Sequence, residues 1–369
     1  MRLNLPWTDQ RELEEIAEVL KTGFFTQGPK VKQFEEKISS YIGSKFAFAT
    51  SSCTTALHLS LAALGIKPGD EVLVADFTFP ATANVVVQLG AKPVLVDIET
   101  NTFTMSITDL AKKINSNTRA IIPVSTFGCT PDMDAIMELA KPFGIPVVED
   151  AACSLGATYK DRFSGNIADV SCFSFHPRKS ISTGEGGMIL TNNEVLADRI
   201  ALLRSHGGVR TGYWFEYVEA GYNYRLSDIQ GAMGLAQFEK LQTILDKKSH
   251  LAHELTRKLS VIKGFRPPLD PTWGKHSYQS FVILVDEDIQ RDEMIQQLRA
   301  LDIECTLGTY ALHDQPFFQL SFGYQNGQLA GSHLAFTRSI TLPLYPQMTE
   351  AEMNILVKAV ETVFSKARG

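Results

Sequence analysis

The chain has few cysteines, and none at a metal-binding spacing. Cys53, Cys129, Cys153, Cys172 and Cys305 are an odd number among 369 residues and include no CxxC pair. Neither a disulfide framework nor a thiolate zinc site is expected, and the cysteine usage fits a reducing compartment. No window reaches the roughly 18 uncharged apolar residues that a membrane span needs. Met1 to Trp7 run directly into the acidic stretch Glu12 to Glu18 without an apolar core, so no signal peptide is expected and the cytoplasm is the expected location. Basic blocks are missing too, and the net charge is −6. Nucleic acid and anionic membranes are therefore poor candidate partners, because both are bound through clustered Lys and Arg. GxSxG, HExxH and GxxxxGK[ST] are absent. Gly184-x-Gly186-Gly187 neither matches the dinucleotide fingerprint nor opens a helix.

What is present is a globular composition, 44% hydrophobic and 21% charged, in a chain long enough for two to three domains of roughly 150 residues. Thr8 as cap, Leu13, Ile16, Ala17 and Leu20 on one face and Gly23 at the end predict a first helix. A second follows Gly28-Pro29, with Val31, Phe34, Ile38 and Tyr41 in one stripe. Strands are then predicted at 46–50, 71–75, 93–98, 120–125 and 146–149, with helices at 54–64, 82–89 and 133–140 between them. The strands Ile121-Ile122-Pro123-Val124 and Ile145-Pro146-Val147-Val148 are apolar throughout, as in a sheet covered on both faces. Their alternation with helices predicts an α/β layer structure with a mostly parallel sheet. Beyond Asn166, segments 170–175 and 188–191 crowd together with no intervening helix, which predicts a local antiparallel or mixed region. The charged stretch from Gln237 to Lys248 predicts one long connecting helix. After it, segments 281–285, 291–301 and 303–307 predict a smaller α/β lobe. The division expected is a large domain over 1–245 and a small one over 246–369. The last helix opens on a capping box, Thr349 with Glu352, and buries Met353, Leu356, Val357, Val360, Val363 and Phe364.

Three segments can carry chemistry. In Ser51-Ser52-Cys53-Thr54-Thr55 a strand ends in small hydroxyl and thiol residues and a helix begins at once, which makes either a plain N-cap or a nest of N–H donors for a phosphate. Asp150 stands at the end of an apolar strand, where open parallel sheets bind ligands. A carboxylate there either caps a helix or awaits a cationic partner. In Phe173-Ser174-Phe175-His176-Pro177-Arg178-Lys179, followed by Thr183-Gly184-Glu185-Gly186-Gly187, a strand delivers Ser, His and Lys into a Pro-broken, Gly-rich loop. A lone loop lysine is ordinarily a solvated charge. Together, however, the three segments match what pyridoxal phosphate (PLP) requires: a lysine amine, an acid at the ring nitrogen and a phosphate cradle.

These stretches, with Asp76-Phe77-Thr78-Phe79, Glu149-Asp150-Ala151-Ala152, Gly221-Tyr222-Asn223-Tyr224-Arg225 and Leu342-Pro343-Leu344-Tyr345, resemble the DegT/DnrJ/EryC1/StrS family of PLP-dependent sugar aminotransferases, of fold type I, in order along nearly the whole chain. The resemblance implies that Lys179 forms the imine with PLP and moves the proton during catalysis. It also implies that Asp150 pairs with the pyridinium nitrogen, and that Ser52, Cys53, Thr54 and Ser174 hold the phosphate. Phe79 would lie against the cofactor ring, and Asn223 would reach the phosphate of a neighbouring subunit, making the active unit a homodimer. Arg225 would brace its loop. His176, Tyr310 and His313 are the candidate substrate contacts. The implied reaction is transfer of an amino group from L-glutamate to a keto group of a nucleotide-linked sugar, with ping-pong kinetics. The alternatives are a PLP-dependent sugar dehydratase and a non-catalytic PLP-binding regulator. In dehydratases of this kind the lysine position holds His, and Lys179 speaks against that reading. Retention of both Lys179 and Asp150 speaks against the regulator. Cys53, Ser125 and Arg178 depart from the family pattern, where Gly, His and a small or neutral residue are common.

Overall fold

The computed structural model describes residues 1–367. Its large sheet is built from two pieces. In the first, Phe46–Thr50 pairs antiparallel with Gly187–Thr191, which pairs antiparallel with Val170–Ser174, which in turn pairs parallel with Val148–Asp150. In the second, Glu71–Ala75 lies between Lys92–Val96 and Thr118–Ile122, all parallel. Parallel bridges from Ile121 to Val147 and from Val124 to Asp150 join the two pieces edge to edge. One strand, Gly187–Thr191, runs against the rest. The loop before it holds no helix to carry the chain back across the sheet, so the only pairing open to it is antiparallel.

Helices cover both faces. Cys53–Ala63 and Ala81–Gln88 contribute Leu57, Leu59, Leu61, Val85 and Val86 to one apolar layer, and Phe34, Ile38, Phe173 and Phe175 lie in another. The C-terminal part has its own antiparallel sheet, ordered Phe265–Arg266, Phe281–Val285, Ser339–Leu342 and Thr306–Leu307. It is covered by the last helix, whose Thr349–Glu352 box forms as expected and whose Met353, Leu356, Val360, Val363 and Phe364 are buried.

Two expectations change. The first helix, Gln10–Thr22, is capped by Asp9 rather than Thr8, and its apolar stripe is only partly covered: Leu13 is 63% and Leu20 58% exposed and Ile16 and Ala17 are half-buried, while Glu12, Glu15 and Val19 are buried. Ion pairs decide which face docks, because Glu12 meets Lys240 at 2.6 Å and Glu15 meets Lys30 at 2.6 Å. The charged stretch after Gln237 is not one helix. Asp228–Glu239 ends, and Leu241–Leu259 begins, at Lys240, whose ammonium turns toward Asp9 and Glu12. The expected division between residues 245 and 246 lies inside this second helix, where its buried side chains pass from one core to the other. Leu241, Ile244 and Leu245 belong to the core beneath the large sheet, and Ala252, Leu255 and Leu259 to the C-terminal core.

The strand that presents Asp150 is fixed by its neighbour Glu149, which has no exposed surface. The Glu149 carboxylate accepts from Ser125 Oγ at 2.7 Å, Ser164 Oγ at 2.6 Å, the Gly165 N–H at 2.9 Å and Ser171 Oγ at 3.0 Å. Ser125 thus serves this buried anchor. Glu149→Ala leaves the Gly165 N–H and three hydroxyls without their acceptor. It is expected to cost about 2–3 kcal/mol, read from the urea midpoint, and an unchanged midpoint would contradict the anchoring role.

Candidate active site

The carboxyl ends of Phe46–Thr50, Val148–Asp150 and Val170–Ser174 lie along one edge of the sheet, where Gly187 starts the reversed strand. Gly187 stands in register with Thr50 on one side and Ser174 on the other. A Cβ there would meet Ser52 O at 2.4 Å and Cys53 N at 2.7 Å, so only glycine lets the start of the Cys53–Ala63 helix come this close to Ser174. Within that helix, the Ala56 N–H bonds Ser52 O and the Thr55 N–H bonds Ser52 Oγ. The first-turn amides of Cys53 and Thr54 are left to an outside acceptor. Ser52 is therefore the N-cap, and the amides it leaves open give a place where an anion could be cradled.

Asp150 is 6% exposed. Its Oδ2 accepts from Thr82 Oγ1 at 2.7 Å and its Oδ1 from the Ala152 N–H at 3.1 Å. Burial carries its pKa above the usual carboxylate value, against the pull of those two donors and of Lys179. A protonated ring nitrogen would supply the cationic hydrogen-bond partner that this environment favours. Thr82 was not singled out by sequence, although it lies in the first turn of the helix after Phe79, where a hydroxyl can reach past the strand ends.

Lys179 follows in a turn closed by its own N–H on His176 O at 2.8 Å. Its Nζ lies 3.1 Å from Cys153 Sγ, three residues beyond Asp150. Burial disfavours the ammonium, but Cys153, Cys53 and Asp150 outweigh it, and the pKa of Lys179 lies above its ordinary value. Cys153 is the second residue that sequence reasoning missed. It was counted only among unpaired thiols, and nothing in the spacing shows that the turn after Asp150 meets the lysine loop.

The other candidates divide. Ser174, 8% exposed, lies at the cradle and accepts from the His176 N–H at 3.4 Å. Cys53 Sγ donates to Cys172 O at 3.5 Å, so the thiol points into the sheet and its backbone amide faces the cradle. His176 Nδ1 accepts from the Arg178 N–H at 3.2 Å, which shapes the lysine turn. Burial holds the pKa of this imidazole low. Phe79 is 66% exposed, three residues before the threonine that holds Asp150. Asn223 is exposed and Tyr224 O accepts from the Ser51 N–H at 3.0 Å, so its loop borders the cradle, with Arg225 Nη1 bracing it through Ser205 Oγ at 3.0 Å. Tyr310 pairs with Thr78 in a short antiparallel strand, which brings the C-terminal segment to the same rim. His313 is a correction. It has no exposed surface, its Nδ1 lies 2.6 Å from Asp76 Oδ2, and its Nε2 accepts from the Leu329 N–H at 3.3 Å. No ring atom is left for a substrate; the side chain ties the C-terminal segment to the strand end at Asp76.

An open amide nest, a buried carboxylate and a half-buried primary amine at one sheet edge fit the phosphate, ring nitrogen and aldehyde of PLP, respectively. A sequence profile of the DegT/DnrJ/EryC1/StrS aminotransferase family matches residues 6–361. The chain belongs to this family. Like its DegT/DnrJ/EryC1/StrS relatives it is a PLP-dependent aminotransferase of fold type I, in a family that acts on sugars. GDP-perosamine synthase of Caulobacter vibrioides is 36% identical, covering 97% of this chain and 96% of its own length. Helicobacter pylori PseC, an aminotransferase involved in the biosynthesis of pseudoaminic acid, superposes with a TM-score of 0.94 at 26% identity over 99% of each chain. A Streptococcus pneumoniae protein solved in its PLP form gives 0.94 at 27% identity over 100% of this chain and 99% of its own.

Proposed function

We propose that this DegT/DnrJ/EryC1/StrS aminotransferase transfers an amino group from L-glutamate to the keto carbon of a nucleotide-linked sugar, acting as a cytoplasmic homodimer. The observation that carries this reading is the convergence of Lys179 Nζ, the Asp150 carboxylate and the open Cys53 and Thr54 amides at one sheet edge. PLP, when bound, supplies an electron sink for the carbon that carries the amino group. Asp150 would hold a proton at the ring nitrogen, Ser52, Cys53, Thr54 and Ser174 would hold the phosphate, and Phe79 would lie against the ring. Lys179 would be the attachment point, and its amine, when free, would carry the proton between the donor carbon and the cofactor. Thr306 and Gly308, with Arg178, line a groove beside the lysine loop, in keeping with a sugar pocket shaped by the 306–318 segment and by Tyr310. Incubation with glutamate is expected to release 2-oxoglutarate in one equivalent per site, and a panel of nucleotide ketosugars is expected to yield an aminated sugar. Failure of glutamate and every other amine to change the cofactor's spectrum would contradict the proposal.

The homodimer is supported by what the single chain leaves uncovered. The hairpin of Gly208–Thr211 and Trp214–Tyr217 exposes Tyr213 at 94% and Trp214 at 77%, and the first helix with the segment just after it adds Leu13, Leu20 and Phe24. Aromatic surface of this extent is characteristic of an interface. Joint replacement of Tyr213 and Trp214 by Asp is expected to shift the protein toward monomer in sedimentation and to lower activity at dilute concentration. An unaltered dimer, or a wild-type monomer with full activity, would oppose the proposal.

A further inference from the structure

Lys248 is 1% exposed, deep in the helix Leu241–Leu259. Among the described residues its amine makes a single hydrogen bond, to the main-chain Gln279 O at 2.7 Å, and no ion pair. A buried amine without a carboxylate is costly, so a residue that only filled space here would be better served by Leu or Met. Burial pushes its pKa down to about 7, with Lys179 adding to the push and Cys153 opposing it, which places Lys248 in the electrostatic surroundings of the active site.

The carbonyl that Lys248 holds belongs to a strap, His276–Gln279, whose side chains reach the catalytic loops. Gln279 Nε2 donates to Arg178 O at 2.7 Å, the residue before Lys179. Ser277 Oγ donates to Cys153 O at 3.0 Å, and the Cys153 thiol lies 3.1 Å from Lys179 Nζ. The strap is gripped from the other side by the Ser277 N–H on Gly128 O at 3.0 Å, at a glycine whose added Cβ would meet Ser277 Oγ at 2.3 Å. Between the two contacts Tyr278 adopts φ 48°, a conformation that a bulky residue keeps only when its surroundings impose it. The imidazole of His276 accepts the Tyr278 N–H at 2.8 Å and helps to impose it.

We infer that Lys248 is a positioning residue for the transamination: by fixing the Gln279 carbonyl it seats the strap whose side chains hold the main chain at Arg178 and Cys153, and so aims Lys179. The inference rests on the proposed role of Lys179. Its test is the rate at which cofactor-stripped full-length protein captures pyridoxal phosphate, followed by the visible absorbance change, in Lys248→Met, Gln279→Ala and the double variant, with melting temperatures measured alongside. Each single change is expected to slow capture on the order of tenfold with little change in melting temperature, and the double variant is expected to be no slower than the slower single one, because both cut the same link. Lys248→Arg, which keeps an N–H donor, is expected to recover most of the rate. Capture by Lys248→Met at the unaltered rate, or slowing that multiplies in the double variant, would overturn the inference. Should Lys248→Met not fold, Gln279→Ala and Ser277→Ala, which cut the strap's two side-chain links to the catalytic loops, are each expected to slow capture, and unaltered capture by both would overturn the inference. Lys179→Ala separates the two ideas: if that variant still captures covalently, the role of Lys179 fails first, whereas normal capture by Lys248→Met in a protein that depends on Lys179 refutes only the positioning.

Discussion

Lys179→Ala protein is expected to hold pyridoxal phosphate without covalent attachment and to lose turnover by about 10⁴-fold or more, because one side chain is both the attachment point and the base. The expectation rests on geometry. Among the described residues Nζ has one hydrogen-bond partner, Cys153 Sγ at 3.1 Å, and a thiol cannot replace the amine in forming the imine. Lys179→His tests the same point from the dehydratase side. If the imidazole variant aminated a ketosugar at the full rate, Lys179 would not be the proton carrier. The cradle at Cys53 and Thr54 is untouched by either change, so cofactor affinity is expected to fall far less than turnover. Phosphate affinity measured by equilibrium dialysis separates the two effects.

Asp150→Asn is expected to lower turnover by about 10²- to 10³-fold, since an amide cannot hold the ring nitrogen protonated, and to act in the opposite direction on the cofactor-free protein. Burial raises the folded-state pKa of Asp150 above its ordinary value. A carboxyl raised in this way favours folding below its unfolded pKa and loses that contribution as pH rises through the folded one. At neutral pH the cofactor-free protein therefore bears the cost of a carboxyl whose ionisation burial disfavours, a cost that Asn removes while still able to accept from the Ala152 N–H and to meet Thr82 Oγ1. Cofactor-free Asp150→Asn should melt higher than the unaltered protein near neutral pH, with the difference shrinking as pH falls toward 3.8. A lower melting temperature, or unaltered kinetics in the loaded enzyme, would contradict the pairing of Asp150 with the cofactor.

The alternation of apolar runs with amphipathic ones was enough to place most strands and helices of the large sheet, because burial on both faces leaves its mark on every residue of runs such as Val72 to Ala75. The same logic located Ser52, Asp150 and Lys179, since each stands where a predicted strand ends. Periodicity identifies an apolar stripe but not what covers it. Leu13 and Leu20 therefore read as core, whereas Glu12 and Glu15, matched to Lys240 and Lys30, take the inner face. The break at Lys240 is equally silent in composition, being set by a tertiary ion pair. Thr82, Cys153 and Gln279 reach the site across three separate segments, and sheet order alone brings them together. His313 has the right chemistry for a substrate contact, and only its 2.6 Å approach to Asp76 reveals that the ring is already engaged.

The central claim is that a single amine, Lys179 Nζ, bonds covalently to PLP. Reduction of the loaded protein with borohydride, followed by peptide mapping, tests it most directly. The account predicts one pyridoxyl label per chain, on the peptide containing Lys179. A label on Lys248 or any other lysine, or no label at all, would contradict it.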